Sequence, residues 1–245
     1  MSNSPIDYKV VLIGNTAVGK TSLFKKITTG EFSEKNISTI GMDKKTLDLE
    51  IEVNENNQIV KKEVNISLVD TAGEERFRSI TKNYFKESDG ILLLYDVTNK
   101  ETFKNVEVWI DSINESLGNH NNSKYIIILI GNKTDLIGVD DFQREVMEEE
   151  ARNACEEKGL VWGGETSVKS IEFTELEDLF KEYVKRIYEK VGEKIVTKQI
   201  TKKMDSYKKK KRNRLHPPEC DTVRNNSNER CHRAAVPRRE PTRPR

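Results

Sequence analysis

The sequence predicts an α/β fold of three layers, a six-stranded and mostly parallel sheet with helices on both faces. Three observations lead there. Strand-like and helix-like stretches alternate between residues 6 and 191. Two of the strands, 90–96 and 125–131, are continuous apolar runs, as expected for central strands covered on both sides. A glycine-containing loop over residues 14–21 joins the first strand to the first helix in a pattern suited to phosphate.

In chain order, Tyr8 to Gly14 reads as a short buried strand, and Thr21 to Thr29 carries helix-compatible residues. Residues 45–53 and 62–70 form two strands of a hairpin, the second alternating with Val64, Ile66 and Leu68 on one face. Helical stretches are expected at 101–117, 141–158 and 173–191; in the last, Leu176, Leu179, Phe180, Val184, Ile187 and Val191 recur at three- and four-residue spacing. One hairpin followed by βα units gives a doubly wound sheet. No internal repeat is visible.

The 245 residues suffice for one domain with a full core and a tail, placed at 1–192 and 193–245. From Glu193 onward there are 17 Lys and Arg against 6 Asp and Glu, whereas residues 1–192 carry 25 against 35. An acidic body with a basic tail separates two jobs. Beyond residue 212 the tail has no Lys and holds five of the six prolines, and residues 194–245 are expected to be disordered. The shift from Lys to Arg also raises the idea that the chain past about Lys211 is a late extension or another reading frame. The N-terminal segment has no basic and apolar signal pattern, and no apolar run is long enough to span a bilayer. Three cysteines at unrelated spacings (Cys155, Cys220 and Cys231) argue against disulfides or zinc and for a reducing, cytoplasmic setting. The body has no basic face interleaved with aromatics, which argues against nucleic acid, and a monomer is expected.

Gly14-Asn15-Thr16-Ala17-Val18-Gly19-Lys20-Thr21 matches GxxxxGK[ST] between a strand and a helix, placing the fold among P-loop NTPases. Glycines let backbone N–H groups approach phosphate, and the helix N-terminus, through Ser22, adds partial positive charge. Lys20 reaches the β- and γ-phosphates and the Thr21 hydroxyl ligates Mg²⁺. The loop alone does not separate GTPases from kinases and ATPases. Gly131-Asn132-Lys133-Thr134-Asp135 makes that distinction. The Asp135 carboxylate suits guanine, whose N1–H and 2-amino group point the same way; adenine would leave it unpaired.

This NKxD element resembles the guanine-specificity motif of the GTPase superfamily. The resemblance implies that Asp135 reads N1 and N2, Asn132 braces the loop and contacts the base, and the Lys133 stem covers the base. It also implies that Ser167-Val168-Lys169 is the partner loop, with a backbone N–H at the guanine O6. Val168 replaces the usual Ala, and its bulk is expected to loosen the base. Asp70-Thr71-Ala72-Gly73 resembles the family's γ-phosphate sensor, with Asp70 toward Mg²⁺ and a Gly73 amide toward the phosphate. Ser38-Thr39-Ile40-Gly41 resembles switch I, with Thr39 closing on Mg²⁺, and Phe32 stands where the family puts an aromatic against guanine. Asp70 to Ile80, Tyr84-Phe85 and Leu94 to Thr98 are similar to the Rab branch of the Ras superfamily, over residues 8–191. The implied function is a GTP/GDP switch in vesicle transport. Its effectors, exchange factor and GTPase-activating protein would dock on residues 35–45 and 70–85.

The chain also departs from that pattern. Glu74 stands where the family has its catalytic Gln, so the catalytic set is Glu74, Lys20 and Thr39; a carboxylate accepts but does not donate. Thr16 and Ala17 occupy loop positions where Ras-type loops carry glycine, and Ala17 is disfavoured if its φ is positive. Lys44 and Val69 replace two effector-face aromatics, while Tyr84 keeps the third. The hairpin loop Asn54 to Gln58 is longer than expected. There is no C-terminal cysteine pair for prenylation. Lys208 to Arg214 offers instead a basic run, open to two readings: reversible peripheral contact with an anionic endomembrane, or a solvated charge run or nuclear-import-like patch. A hydrolysing switch is the leading reading, and a guanine-nucleotide-dependent scaffold with little hydrolysis is the alternative.

Overall fold

The computed structural model describes residues 6–33, 42–71, 85–118, 125–139 and 142–192. Strand β1 (Ile6–Gly14) leads into helix α1 (Lys20–Thr29), followed by a hairpin of β2 (Met42–Glu55) and β3 (Gln58–Thr71). Then come β4 (Gly90–Asp96), α2 (Lys100–Leu117), β5 (Ile126–Asn132), α3 (Glu148–Lys158) and β6 (Val161–Glu165). A last helix, α4, covers residues 173–192. The strands lie in the order β2-β3-β1-β4-β5-β6, with β2 antiparallel to β3 and all other pairs parallel. The expected three-layer α/β architecture is the one observed.

The two-residue period of a strand builds those layers. Tyr8, Val10 and Leu12 of β1 point into a core shared with Leu23 and Phe24 of α1 and with Phe180, Val184 and Ile187 of α4. Val11 and Ile13 point the other way, into a core shared with Val106, Trp109 and Ile113 of α2 and with Ala151 and Cys155 of α3. Every residue of β4 and of β5 is buried, which is why those strands read as unbroken apolar runs. Helix α4 passes so close to β4 that a Cβ on Gly90 would collide with the Ile187 side chain.

Three expectations need adjustment. The helix expected at 141–158 starts at Glu148. Residues 142–147 are held as a connector because the Glu145 and Val146 N–H groups donate to the Val97 carbonyl at 3.0 and 3.2 Å, and Arg144 pairs with Glu165. The hairpin is longer in its strands than in its loop: β2 and β3 run 14 residues each. They meet at a two-residue turn, Asn56 and Asn57, with φ of 53° and 63°. Asn tolerates that left-handed backbone, which matches the twist of the flanking strands. The sixth strand, Val-Trp-Gly-Gly-Glu, has no alternation to mark it and is identified by its parallel pairing with β5.

No helix among the described residues is long and apolar enough to cross a membrane. The expected tail, 193–245, lies outside the described residues.

Candidate nucleotide-binding site

β1 brings the chain to Gly14, where φ is +135° and a Cβ would overlap the Leu94 carbonyl of the neighbouring strand. The loop turns through Ala17 (φ 63°) and Gly19 (φ 102°) into α1. A Cβ at Gly19 would run into the Asn132 amide, so this glycine lets the phosphate loop lie against β5. No side chain caps α1 at Gly19. An uncapped helix N-terminus beneath a glycine loop is a natural seat for phosphate.

Lys20 is only 5% exposed, and its Nζ donates to the carbonyls of Gly14 at 2.9 Å and Asn15 at 2.8 Å. Burial lowers its pKa to about 8 against the opposing pull of Asp70. Asn15 is itself held, its Oδ1 accepting from the Trp109 indole at 2.9 Å. Thr16 and Ala17 are exposed at the loop's crest, while Val18 and Ser22 are buried beneath it.

Across the loop, the Thr21 hydroxyl donates to Asp70 Oδ2 at 2.6 Å. Asp70 Oδ1 is buried and has no hydrogen-bond partner among the described residues. Burial raises the Asp70 pKa, with Thr21 and Lys20 opposing. A hydroxyl beside an orphaned carboxylate oxygen is a set of hard donors, and the residues present fit Mg²⁺.

Asn132, 3% exposed, joins the loops. Its Nδ2 donates to the Val18 carbonyl at 2.8 Å, and its Oδ1 accepts from the Val168 N–H at 3.0 Å. Ser167 Oγ donates to Asp135 Oδ1 at 2.5 Å, and the Thr166 N–H donates to the Gly131 carbonyl at 2.8 Å. Lys133, at φ 71°, pairs with Asp96 at 2.6 Å. The Val168 side chain is buried in the core between the sheet, α1 and α4. Its extra bulk relative to Ala is therefore taken up within that core. Lys169 is exposed next to it.

The structure thus gathers Gly14 to Ser22, Asp70, Asn132, Lys133, Asp135 and Ser167 to Lys169. Phe32 is half-buried against the same core. Thr39, Gly73 and Glu74 lie outside the described residues, as do most of the expected docking segments 35–45 and 70–85. Sequence reasoning missed three supports: Trp109, Asp96 and Lys26. The Lys26 Nζ donates to the Val168 carbonyl at 2.8 Å. The one available signal was spacing, because Lys26 falls three and four residues after the buried Leu23 and Ser22.

Fold and site together define a phosphate-loop nucleotide-binding protein. Residues 9–189 match the Ras family, and the chain belongs to that family as a small GTPase most similar to Rab proteins. It is 37% identical over 193 residues to the Ras-related protein YPTC6 of Chlamydomonas reinhardtii, covering 77% of this chain and 81% of the relative. It is 38% identical over 189 residues to the Ras-related protein Rab11A of Lotus japonicus, covering 76% and 75%. Against the Ras-related protein RABA4b of Arabidopsis thaliana it is 37% identical over 193 residues, 78% of each chain.

Proposed function

We propose that this chain binds GTP and GDP with Mg²⁺, hydrolyses GTP, and works as a Rab-type switch in intracellular vesicle and protein transport. The observation that carries the reading is the double role of Asn132. One side chain fastens the phosphate loop at Val18 and the partner loop at Val168, which spaces a phosphate site and a base site for a single nucleotide. Asp135, oriented by Ser167, accepts the guanine N1–H and 2-amino group. The Val168 and Lys169 backbone faces O6, Phe32 and the Lys133 stem flank the base, and Lys20 with the loop N–H groups holds the phosphates. Thr21, Thr39 and Asp70 hold Mg²⁺, which supplies charge neutralisation at the β- and γ-phosphates when bound. Gly73 and Thr39 sense the γ-phosphate, so effectors, the exchange factor and the activating protein read residues 35–45 and 70–85. The cell address is cytoplasmic and peripheral on endomembranes, with Lys208 to Arg214 as the anionic-lipid contact.

Glu74 favours a second reading, a guanine-nucleotide-dependent scaffold with little hydrolysis. A carboxylate near the γ-phosphate adds repulsion on the order of 4 kcal/mol at ~4 Å before Mg²⁺ and Lys20 offset it. Single-turnover GTP hydrolysis by the full chain, beside Glu74→Gln, decides between them. A wild-type rate equal to or above the variant's supports the hydrolytic switch. A variant faster by tenfold or more makes Glu74 a brake and the chain a long-lived GTP-state module.

A further inference from the structure

Lys26 is a buried cation that the reading above does not use. It sits six residues after Lys20 on α1 and is 6% exposed. Its Nζ donates to the Val168 carbonyl at 2.8 Å and to the Lys169 carbonyl at 3.2 Å, and lies 5.9 Å from the centroid of the Phe32 ring. No carboxylate among the described residues lies within ion-pair reach of it. A buried ammonium satisfied by carbonyls and a ring is costly, and it holds its acceptors firmly because they are its main compensation.

The peptide plane gives that grip a direction. In a trans peptide the carbonyl and the next N–H point opposite ways. A Val168 carbonyl held toward α1 therefore turns the Lys169 N–H away from α1. The Asn132 side chain fixes the preceding peptide through the Val168 N–H, and Ser167 Oγ accepts from the Ser170 N–H at 3.0 Å behind it. Lys26 thus clamps one edge of the 167–170 turn while Asn132 and Ser167 clamp the other. The same Nζ supports the face of Phe32.

We propose that Lys26 is a positioning residue for base recognition: by holding the Val168 and Lys169 carbonyls it fixes the partner-loop backbone that faces the six-position oxygen of the purine, and so sets guanine selectivity and nucleotide residence time. This rests on the reading that the Ser167–Lys169 loop faces guanine. It ties the helix that carries the phosphate loop to the loop that reads the base.

The test compares dissociation of GDP with that of 6-thioguanosine diphosphate, which keeps the N1–H and the 2-amino group for Asp135 and puts a weakly accepting sulfur in place of the six-position oxygen. Full-length wild type, Lys26→Met and Lys26→Arg are loaded with each in Mg²⁺, and thermal unfolding is recorded alongside. Lys26→Met is expected to release GDP about tenfold faster, worth about 1.4 kcal/mol. Release of the analogue should change less than threefold, collapsing the ratio between the two nucleotides. Lys26→Arg, which keeps charged donors, should restore most of that ratio. Equal acceleration of both nucleotides, or no acceleration, overturns the proposal and leaves Lys26 a packing residue. If Lys26→Met does not fold, the ratio for Lys26→Arg decides, and a ratio below a third of wild type counts against the proposal. Failure of wild type to hold GDP would instead overturn the guanine-nucleotide reading on which the proposal stands.

Discussion

At Ala17 the phosphate loop places a Cβ where the backbone is left-handed, with φ of 63°. Such a conformation costs a non-glycine residue on the order of 1 kcal/mol. Ala17→Gly is expected to stabilise the nucleotide-free chain by about 1 kcal/mol, read as a higher midpoint in thermal unfolding; a lower midpoint would show that the site is relaxed. Lys20 gives a pH signature. Burial holds its pKa at about 8 in the structure. A bound phosphate raises it again by favouring the charged form, so binding takes up a proton above that pH. Affinity for GDP should therefore be level below pH about 8 and fall as the pH rises beyond it. Titrations between pH ~7 and ~9.5 check this, and a flat profile contradicts it. Most of these site residues were legible in the sequence because motif spacing reports backbone geometry: glycine positions, a lysine and a hydroxyl at a helix start. Lys26 was not, because nothing in a Lys-Lys pair tells which member turns inward until the helix has a buried face.

The connector before α3 shows how an element can be stopped from outside. Residues 141–147 look helix-compatible locally. The Val97 carbonyl and the Arg144–Glu165 pair, at 2.7 and 2.8 Å, fix residues 144–146 in another conformation. Such long-range competitors are invisible to periodicity, as were the partners that make β6 a strand. By contrast, the alternation of Val64, Ile66 and Leu68 and the apolar runs of β4 and β5 were legible, because each states which faces are covered. Glu165 ends β6 directly before the partner loop, and its side chain is 10% exposed. Arg144→Met leaves that carboxylate without its bidentate partner. A loss of about 2 kcal/mol in urea unfolding is expected, below the fully buried range because Arg144 is itself a quarter exposed. A loss under about 0.5 kcal/mol would mean the pair does not hold the connector.

Over the whole chain, charge is unevenly spread: residues 1–192 are acidic and residues 193–245 basic. The tail's proposed role predicts that the full chain sediments with phosphatidylserine vesicles at low salt and is released near ~0.3 M salt, while Lys208 to Arg214 changed to Gln abolishes sedimentation. Binding that survives high salt would point to another mode of attachment. In the proposed function, the Asn132-linked loops and the phosphate loop hold one guanine nucleotide with Mg²⁺. The decisive experiment is calorimetric titration of the nucleotide-free full chain with GDP and with ADP, each in Mg²⁺. GDP is expected to bind at least about a thousandfold more tightly, because adenine leaves Asp135 unpaired. Equal affinities, or no binding of GDP, would contradict it.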